Sequence, residues 1–255
     1  MNAESGQEQN TLGWYRARIG QITGSAVGNL MGKGRGGNWT ATAISYMQQL
    51  AFERTMDEEI LNNDELFAQY VGITEVKSKV LEWGHKMEGP AADLFAAMFL
   101  QTYEPNAKCN EEIVLEEPPS VKHPTLEHFA SSPDRMFVNP VTGESCFVEI
   151  KSPQGKAFAK YAGIILLPEE SLRLEALKTA EPNYYWQLFS HMMVTGTTTC
   201  YWVIYNPFNK VPLFSMEVHW DEEIAREIET RVKDANRYID ALAHNMTGDD
   251  TQGNS

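Results

Sequence analysis

One stretch of the sequence combines two carboxylates and a lysine at a spacing that could do chemistry. Asp134 follows Ser132 and Pro133, and Glu149 and Lys151 lie two positions apart. Because side chains alternate along a strand, Glu149 and Lys151 share one face if this segment is extended. A hairpin between the two segments would bring Asp134 beside Glu149. Close carboxylates repel each other unless a cation lies between them, so the pattern predicts a metal site.

Hard oxygen ligands with open water positions suit Mg²⁺ or Mn²⁺, and such an ion can hold a phosphodiester oxygen and activate a water. Lys151 would orient that water and stabilise the developing charge. The triplet alone is weakly specific, since a surface salt bridge on an edge strand uses the same residues. The apolar neighbours Phe147, Val148 and Ile150 favour the metal site, because ion pairs in an apolar strand are costly. Glu88, just before a Gly-Pro pair, offers a third carboxylate.

The elements that must position these residues follow from hydrophobic periodicity and turn signals. Strands are predicted at 112–115, 127–130, 145–151, 201–205 and 213–218. Helices are predicted at 40–56, 181–195 and 221–244, after a short turn and a helix within 14–31 that Thr23 or Ser25 would cap. A further helical pattern covers 75–102, with a kink or fresh start expected at Gly89-Pro90. This order predicts an α/β fold with a sheet flanked by helices.

The 255 residues suffice for one α/β domain, predicted over 13–245, between a disordered lead (1–12) and a disordered tail (246–255). No apolar run approaches the roughly 18 residues of a membrane span, and the polar N-terminus lacks a signal core. We therefore expect no membrane association and a cytoplasmic location. Three well-separated cysteines, an odd number, indicate buried reduced thiols rather than a disulfide framework.

The net charge of −14 argues against a protein that coats nucleic acid. Net charge, however, describes the electrostatic potential far from the protein and does not describe the potential in one groove of its surface. Acidic residues cluster at 53–65, 111–117, 217–229 and 249–250, whereas basic residues cluster at 16–18, 33–35 and 151–160. This segregation fits an acidic exterior around a local basic channel and equally fits an ordinary acidic enzyme, so charge alone does not decide.

Five motifs in order resemble those of the lambda-exonuclease, or YqaJ-type, family of viral recombination nucleases, of the PD-(D/E)xK type. They are Trp14…Arg18-Ile-Gly-Gln-Ile-Thr-Gly-Ser25, Trp83-Gly-His-Lys-Met-Glu88, Ser132-Pro-Asp134, Glu149-Ile-Lys151 and Tyr184-Tyr-Trp-Gln187. Five ordered motifs are far more specific than any one of them. The resemblance implies a restriction-endonuclease-like core, with a mixed central β-sheet flanked by helices.

The resemblance also implies roles for the residues around the metal. Asp134 and Glu149 match metal-binding carboxylates, and the backbone carbonyl of Ile150 matches an additional ligand. Lys151 matches a catalytic lysine. Glu88 matches a helix carboxylate that helps at the metal site, although the nearby Pro90 leaves its reach open.

Further positions match a DNA-binding role in the same family. Arg18, Ser25 and Ser132 match a pocket that grips a 5′-terminal phosphate. Tyr184 and Gln187 match a helix motif that packs against the active site. The glycine-rich loop with Lys33 and Arg35 is either solvated linker or a phosphate contact, since glycines allow close backbone approach.

Together these matches imply a Mg²⁺-dependent 5′→3′ exonuclease, with Mn²⁺ as a substitute metal. It would degrade one strand of linear double-stranded DNA from a 5′-phosphorylated end, leaving a 3′ single strand for recombination by annealing. The implied partners are DNA ends, a single-strand annealing protein and two further copies in a ring-shaped homotrimer. Lys33 and Arg35 would line its channel, in the cytoplasm of the host cell if a phage encodes the protein.

Each of these residues also has a purely structural interpretation. Arg18 could pair with an acidic neighbour, and Ser25 could be only a helix N-cap. Ser132 could be a turn residue, and Gln187 an exposed helix residue. The aromatic run at 184–186 is typical of a core wall. His85 and His191 are interpreted as structural, because carboxylate-led magnesium chemistry needs neither.

Three other functions compete with the exonuclease. An endonuclease of restriction or repair type would share the metal site but lack a pocket for a 5′ phosphate. A non-catalytic DNA-end-binding protein would be a decayed nuclease, which the intact Asp134, Glu149 and Lys151 oppose. The same residues oppose an acidic protein that binds only other proteins. Three scattered cysteines cannot hold a four-cysteine iron–sulfur cluster, which excludes that branch of nucleases.

Overall fold

The computed structural model of the chain describes residues 9–74, 78–103 and 113–248. Its helices are α1 (Leu12–Arg18), α2 (Gly28–Met31), α3 (Ala41–Arg54), α4 (Glu58–Asn62), α5 (Asp64–Thr74), α6 (Lys79–Tyr103), α7 (Gly155–Ile165), α8 (Glu170–Ala180), α9 (Pro182–Thr195) and α10 (Glu222–Thr247). Its strands are β1 (Ile22–Thr23), β2 (Val121–Lys122), β3 (Phe129–Ser131), β4 (Arg135–Val138), β5 (Ser145–Lys151), β6 (Thr199–Tyr205) and β7 (Leu213–His219).

The strands form two sheets, and each sheet is mixed. The larger has the order β4-β5-β6-β7, in which β5 and β6 are parallel and the two outer pairs are antiparallel. The smaller has the order β1-β3-β2, in which β1 is parallel and β2 antiparallel to β3. Helices cover these sheets, so the predicted α/β class with mixed β-structure flanked by helices is confirmed, although the strands divide between two sheets.

Strand β5 separates two hydrophobic cores, because successive side chains point to opposite faces of the sheet. Val148 and Ile150 pack with α6 in the smaller core. Phe147 belongs to the larger core, which α2, α3, α9 and α10 complete. Glu149 and Lys151 share the Phe147 face by the same alternation. The two charged side chains are therefore directed towards the helical layer and not towards solvent on an edge strand.

Several sequence predictions are confirmed with small shifts in their bounds. Strand 145–151, helix 181–195 and the strand pair 201–205 and 213–218 correspond to β5, α9, β6 and β7. Cys146 and Cys200 are free and buried, as predicted, while Cys109 lies outside the described residues. Most of the predicted lead and tail also lie outside them. Within the described helices, none is long and apolar enough to span a membrane.

The predicted turn and helix within 14–31 is wrong in its arrangement. Trp14 lies inside α1, and the extended β1 intervenes before the short α2. Strand β1 forms because it pairs with the distant β3, a contact that local periodicity does not reveal. Helix α2 begins after Val27 without a side-chain cap, so neither Thr23 nor Ser25 caps it.

Three other elements differ from expectation. Helix α6 continues through Pro90, because its buried face anchors the helix on both sides of the proline. The predicted strand at 112–115 is absent from its described residues, 113–115. In this segment Glu116 forms a single bridge to Met136, because the prolines at 118 and 119 have no amide hydrogen for further pairing.

The strand predicted at 127–130 begins later than expected. Strand β3 starts at Phe129 because His128 has a positive φ of 53°. Helices α4, α5, α7 and α8 were not predicted.

Candidate active site

The hairpin formed by β4 and β5 brings Asp134 beside Glu149, as the sequence predicts. Arg135 pairs with Val148 in antiparallel register, so the residue before β4 lies opposite Glu149. Asp134 Oδ2 accepts a hydrogen bond of 2.7 Å from the backbone N–H of Ile150. The carboxylate of Asp134 is thus fixed by the main chain of the strand that carries the second carboxylate.

Glu149 is almost fully buried, with 1% of its surface exposed, and its oxygen Oε1 has two donors. Lys151 Nζ donates to Oε1 at 2.5 Å, and Gln187 Nε2 donates to the same oxygen at 2.6 Å. Gln187 reaches Glu149 because α9 packs against β6, the parallel neighbour of β5. It is buried, which excludes the interpretation of Gln187 as an exposed helix residue.

The charges in this cluster perturb one another. Burial raises the pKa of Asp134 well above its usual range, and the neighbouring Glu149 raises it further. Burial alone would also raise the pKa of Glu149, but the ammonium of Lys151 and the contact with His191 together outweigh burial and lower that pKa to about 2. Burial opposes the charge on Lys151, yet the two carboxylates hold its pKa above the usual value. Lys151 therefore stays charged, while Asp134 forms no ion pair within the described ranges.

A second cluster lies at the end of α1. Arg18 Nη1 donates to Ser132 Oγ at 3.1 Å, and Arg18 Nη2 donates to Ser25 Oγ at 3.3 Å. The guanidinium also stacks over the ring of Trp14, with its central carbon 4.2 Å from the ring centroid. Burial lowers the pKa of Arg18, and no carboxylate in the described ranges forms an ion pair with it. The simple salt bridge considered for Arg18 is therefore absent there.

One open cleft of about 450 Å³ joins the two clusters. It is lined by Arg18, Ser25, Glu88, Ser132, Asp134, Glu149, Ile150, Lys151, Tyr184 and Gln187, together with Gln9, Trp14, Val80, Leu81, Gly84, His85, Ser152 and Pro153. All the candidate site residues except Lys33 and Arg35 thus share a single cavity, although their positions range from 18 to 187 in the sequence. That convergence is the central geometric feature of the molecule.

Other candidates have more peripheral places in or near the cleft. Glu88 is partly exposed, and its Oε1 lies 3.1 Å from His85 Nδ1. The ring of Tyr184 lies under Lys151, with Nζ 5.1 Å from the ring centroid. Outside the cleft, Lys33 Nζ lies 3.9 Å from Glu227 of α10, and Arg35 starts an exposed 3₁₀ turn. The basic loop therefore runs along α10 and not along the carboxylates.

The carboxylate cluster fits a magnesium-type ion by its donor chemistry. Mg²⁺ is usually bound through one or two carboxylates and keeps several waters or substrate oxygens. In the ranges that the structure describes, no three His, Cys, Asp or Glu side chains form a complete metal-binding group, so Asp134 and Glu149 are the two candidate carboxylates. Glu149 Oε2 is buried and has no well-aligned hydrogen bond among the described residues, although His191 Nε2 lies 3.2 Å from it. A cation would satisfy that oxygen and relieve the repulsion on Asp134.

Sequence reasoning missed the contact between His191 and this cluster. His191 is 1% exposed, and its Nε2 lies 3.2 Å from Glu149 Oε2. It was interpreted as structural because magnesium chemistry needs no histidine. The available signal was spacing: Gln187 and His191 are four positions apart and therefore lie on the same face of α9.

Comparisons with known proteins agree with this geometry. A family model described as the YqaJ-like viral recombinase domain matches residues 13–198. The structure of LHK-Exo with dAMP aligns with a TM-score of 0.65 and 22% identity, covering 93% of this chain and 96% of that chain; LHK-Exo is an alkaline exonuclease from Laribacter hongkongensis. A phage-related exonuclease from Haemophilus somnus 129PT aligns with a TM-score of 0.57 and 14% identity, covering 89% and 96%. No curated protein sequence matches significantly.

Proposed function

The chain belongs to the YqaJ-like viral recombinase domain family, and from that premise we propose that it is a metal-dependent 5′→3′ exonuclease of double-stranded DNA. Family membership supports the coarser description, a nuclease that acts on DNA. The single observation that carries the finer proposal is the shared cleft. One end holds paired carboxylates with a lysine, and the other holds a cation that meets no carboxylate among the described residues.

The carboxylate end is where hydrolysis is proposed to occur. Asp134, Glu149 and the backbone carbonyl of Ile150 would hold Mg²⁺, or Mn²⁺ in its place, with Glu88 at the edge of the same site. When bound, the ion supplies Lewis acidity to the phosphodiester and lowers the pKa of a water. The protein's contribution is to hold both carboxylates on adjacent strands, where the Ile150 N–H fixes Asp134 and Gln187 fixes Glu149.

Lys151 is proposed to act on the attacking water and on the reacting phosphate. Its ammonium lies 2.5 Å from Glu149 and stacks on Tyr184, so its position is fixed before substrate enters. A preorganised charge in a partly buried site stabilises developing negative charge more strongly than one in water. Lys151 would act there as a fixed cation that orients the water and stabilises the developing charge.

The Arg18 end is proposed to receive the terminal 5′ phosphate. A guanidinium with hydroxyls at 3.1 Å and 3.3 Å presents several N–H and O–H donors to one anion. A phosphate there would supply a negative partner, which Arg18 does not find among the residues that the structure describes. Since the carboxylates line the same cleft, a strand held by its 5′ end would present its first internucleotide bond to them, which gives 5′→3′ polarity.

Assembly and partners extend this proposal. A chain with a net charge of −14 repels DNA at long range, so enclosure in a ring-shaped homotrimer would retain the substrate between cuts. Lys33 and Arg35, exposed beside α10, would contact phosphates of the enclosed duplex. The 3′ strand left by resection would pass to a single-strand annealing protein, in the cytoplasm.

The test is digestion of matched linear duplexes with 5′-phosphate or 5′-hydroxyl ends, and of the same DNA as a closed circle, with and without Mg²⁺. We expect Mg²⁺-dependent loss of the 5′-phosphorylated strand, slower attack on the hydroxyl end and no cutting of the circle. Cutting of the circle would instead indicate an endonuclease. Absence of turnover with both Mg²⁺ and Mn²⁺, under conditions where DNA ends are bound, would indicate a non-catalytic end-binding protein.

A further inference from the structure

His191 is buried directly behind the carboxylate cluster and contacts three polar groups. Its Nδ1 forms a hydrogen bond with the hydroxyl of Ser131. Its Nε2 lies 3.1 Å from Gln187 Nε2 and 3.2 Å from Glu149 Oε2. The ring also meets Phe147 edge-on, with the ring centroids 5.5 Å apart. The imidazole is therefore fixed by packing as well as by hydrogen bonds.

The amide nitrogen of Gln187 lies between two partners. The Gln187 atom 2.6 Å from Glu149 Oε1 is the amide nitrogen, because an ionised carboxylate can only accept hydrogen bonds. The same nitrogen lies 3.1 Å from His191 Nε2, which itself lies 3.2 Å from Glu149 Oε2. Gln187 and His191 therefore contact one oxygen each of the Glu149 carboxylate, and they also contact each other.

The carboxylate of Glu149 favours one orientation of the Gln187 amide. If the amide were rotated by half a turn, its oxygen would face that carboxylate. In the observed orientation, Gln187 and Lys151 both donate to Oε1, and the ring of His191 lies against Oε2. We infer that His191 is a positioning residue: its Nε2 lies against both Gln187 and Glu149 Oε2, and it thereby fixes the orientation of the carboxylate that is proposed to bind the divalent ion.

Gly24 provides the room that this chain of contacts needs. A Cβ atom at Gly24 would lie 2.6 Å from Ser131 Oγ and 2.8 Å from His191 Nδ1, closer than real Cβ contacts allow. The backbone N–H of Gly24 donates to Ala130 at 2.9 Å, which holds the loop after β1 against the strand that carries Ser131. The glycine between Thr23 and Ser25 is thus explained by the position of His191, independently of the hydrogen-bond argument.

The inference rests on the proposed metal site, and its test measures metal binding without DNA or turnover. The probe is Mn²⁺, titrated into the full chain while electron paramagnetic resonance counts the free ion. His191→Asn retains a polar group near the Nδ1 position but removes the contact at the Nε2 position. His191→Gln places a polar amide group near the Nε2 position and retains that contact. Ser190→Ala is the matched control, because this buried neighbour has a hydroxyl without a hydrogen-bond partner among the described residues.

We expect His191→Asn to weaken Mn²⁺ binding by roughly 10-fold or more, the scale seen for residues that orient metal ligands. His191→Gln and Ser190→Ala should bind within about threefold of the wild type, which is under 0.7 kcal/mol. Melting temperatures without metal identify any variant that has lost its fold. A folded His191→Asn protein that binds Mn²⁺ with wild-type affinity overturns the role of His191 and leaves the metal site standing. The same conclusion follows if His191→Gln loses as much Mn²⁺ affinity as His191→Asn. A wild-type protein that binds no Mn²⁺ overturns the metal site itself.

Discussion

The two ends of the cleft differ in whether their charged side chains have partners of opposite charge. At the carboxylate end, Glu149 is paired with Lys151 at 2.5 Å and bonded by Gln187 at 2.6 Å, on strands and a helix of the core. At the other end, Arg18 lies on the short helix α1 and meets neutral hydroxyls at 3.1 Å and 3.3 Å. One end pairs one of its two carboxylates with a lysine, whereas the other holds a cation that meets no carboxylate in the described part of the chain.

This difference indicates what each end is built to do. A buried ion pair cannot lose one member without leaving the other charge unpaired. A substitution at the carboxylate end is therefore expected to affect both the stability of the fold and the activity. The half-buried guanidinium of Arg18 has hydroxyl and aromatic contacts that could be lost with little damage to the fold. The carboxylate end is therefore suited to a fixed catalytic geometry, and the Arg18 end to binding and releasing an anion.

The largest expected effect comes from removing charge at the carboxylate end while keeping its shape. Glu149→Gln should lower the single-turnover rate at saturating Mg²⁺ by at least about 10³-fold, because it removes a proposed metal ligand and weakens the partner of Lys151. Glutamine is preferred to alanine, since it still offers an acceptor to Gln187. Circular dichroism and thermal melting serve as controls for folding. Near-normal rates in a folded Glu149→Gln protein would falsify the catalytic assignment.

A substitution at Lys151 tests whether catalysis can be lost while metal binding is kept. Lys151→Ala should lower the cleavage rate by about 10²-fold, the scale for losing one preorganised charge, while Mn²⁺ binding is retained or strengthened. The reason for the second part is that Mn²⁺ would then face two carboxylates without a competing ammonium 2.5 Å from Glu149. The measurement is single-turnover cleavage together with Mn²⁺ titration. A parallel loss of both properties would make Lys151 a structural partner of Glu149 only.

At the other end of the cleft, Arg18→Ala should remove the preference for phosphorylated ends and leave hydroxyl-ended DNA as a comparable substrate. A charge-assisted hydrogen bond contributes about 1.5–3 kcal/mol, which corresponds to roughly 10- to 100-fold in kcat/KM. Arg16→Ala is the matched control on the same helix, because Arg16 is paired with Asp64 at 2.5 Å and lies outside the cleft lining. Equal preference losses in the two variants would show a general charge effect and not a phosphate pocket.

The sequence predicted the parts of the site that depend on local geometry. The two-residue period of β5 places Glu149 and Lys151 on one face, and the β4–β5 hairpin brings Asp134 to them. It did not predict contacts that depend on packing between distant segments. The parallel pairing of Ile22 with Phe129 brings the loop of Ser25 towards Ser132, and no local pattern indicates it.

The role of His191 was missed for a similar reason. Its partner Ser131 is sixty positions away along the chain, and only the packing of α9 on β3 brings the two together. Pro90 illustrates the opposite error, since the local rule for a helix break was outweighed by a buried face on both sides of the proline. In both cases tertiary packing determined the outcome. The four-residue spacing from Gln187 indicates the face of α9 on which His191 lies, but it does not indicate the contact with Ser131.

The smallest effects expected at the Arg18 end distinguish its two serines. A neutral hydrogen bond contributes about 0.5–1.5 kcal/mol, so Ser132→Ala should reduce the 5′-phosphate preference roughly 2- to 10-fold. Ser25→Ala should do less, because Ser25 is exposed and its hydroxyl is 3.3 Å from the guanidinium instead of 3.1 Å. If both serines act by orienting Arg18, neither change should reduce the preference further in an Arg18→Ala background. Additive losses in the kcat/KM ratios of these double variants would mean that the hydroxyls contact the phosphate independently of Arg18.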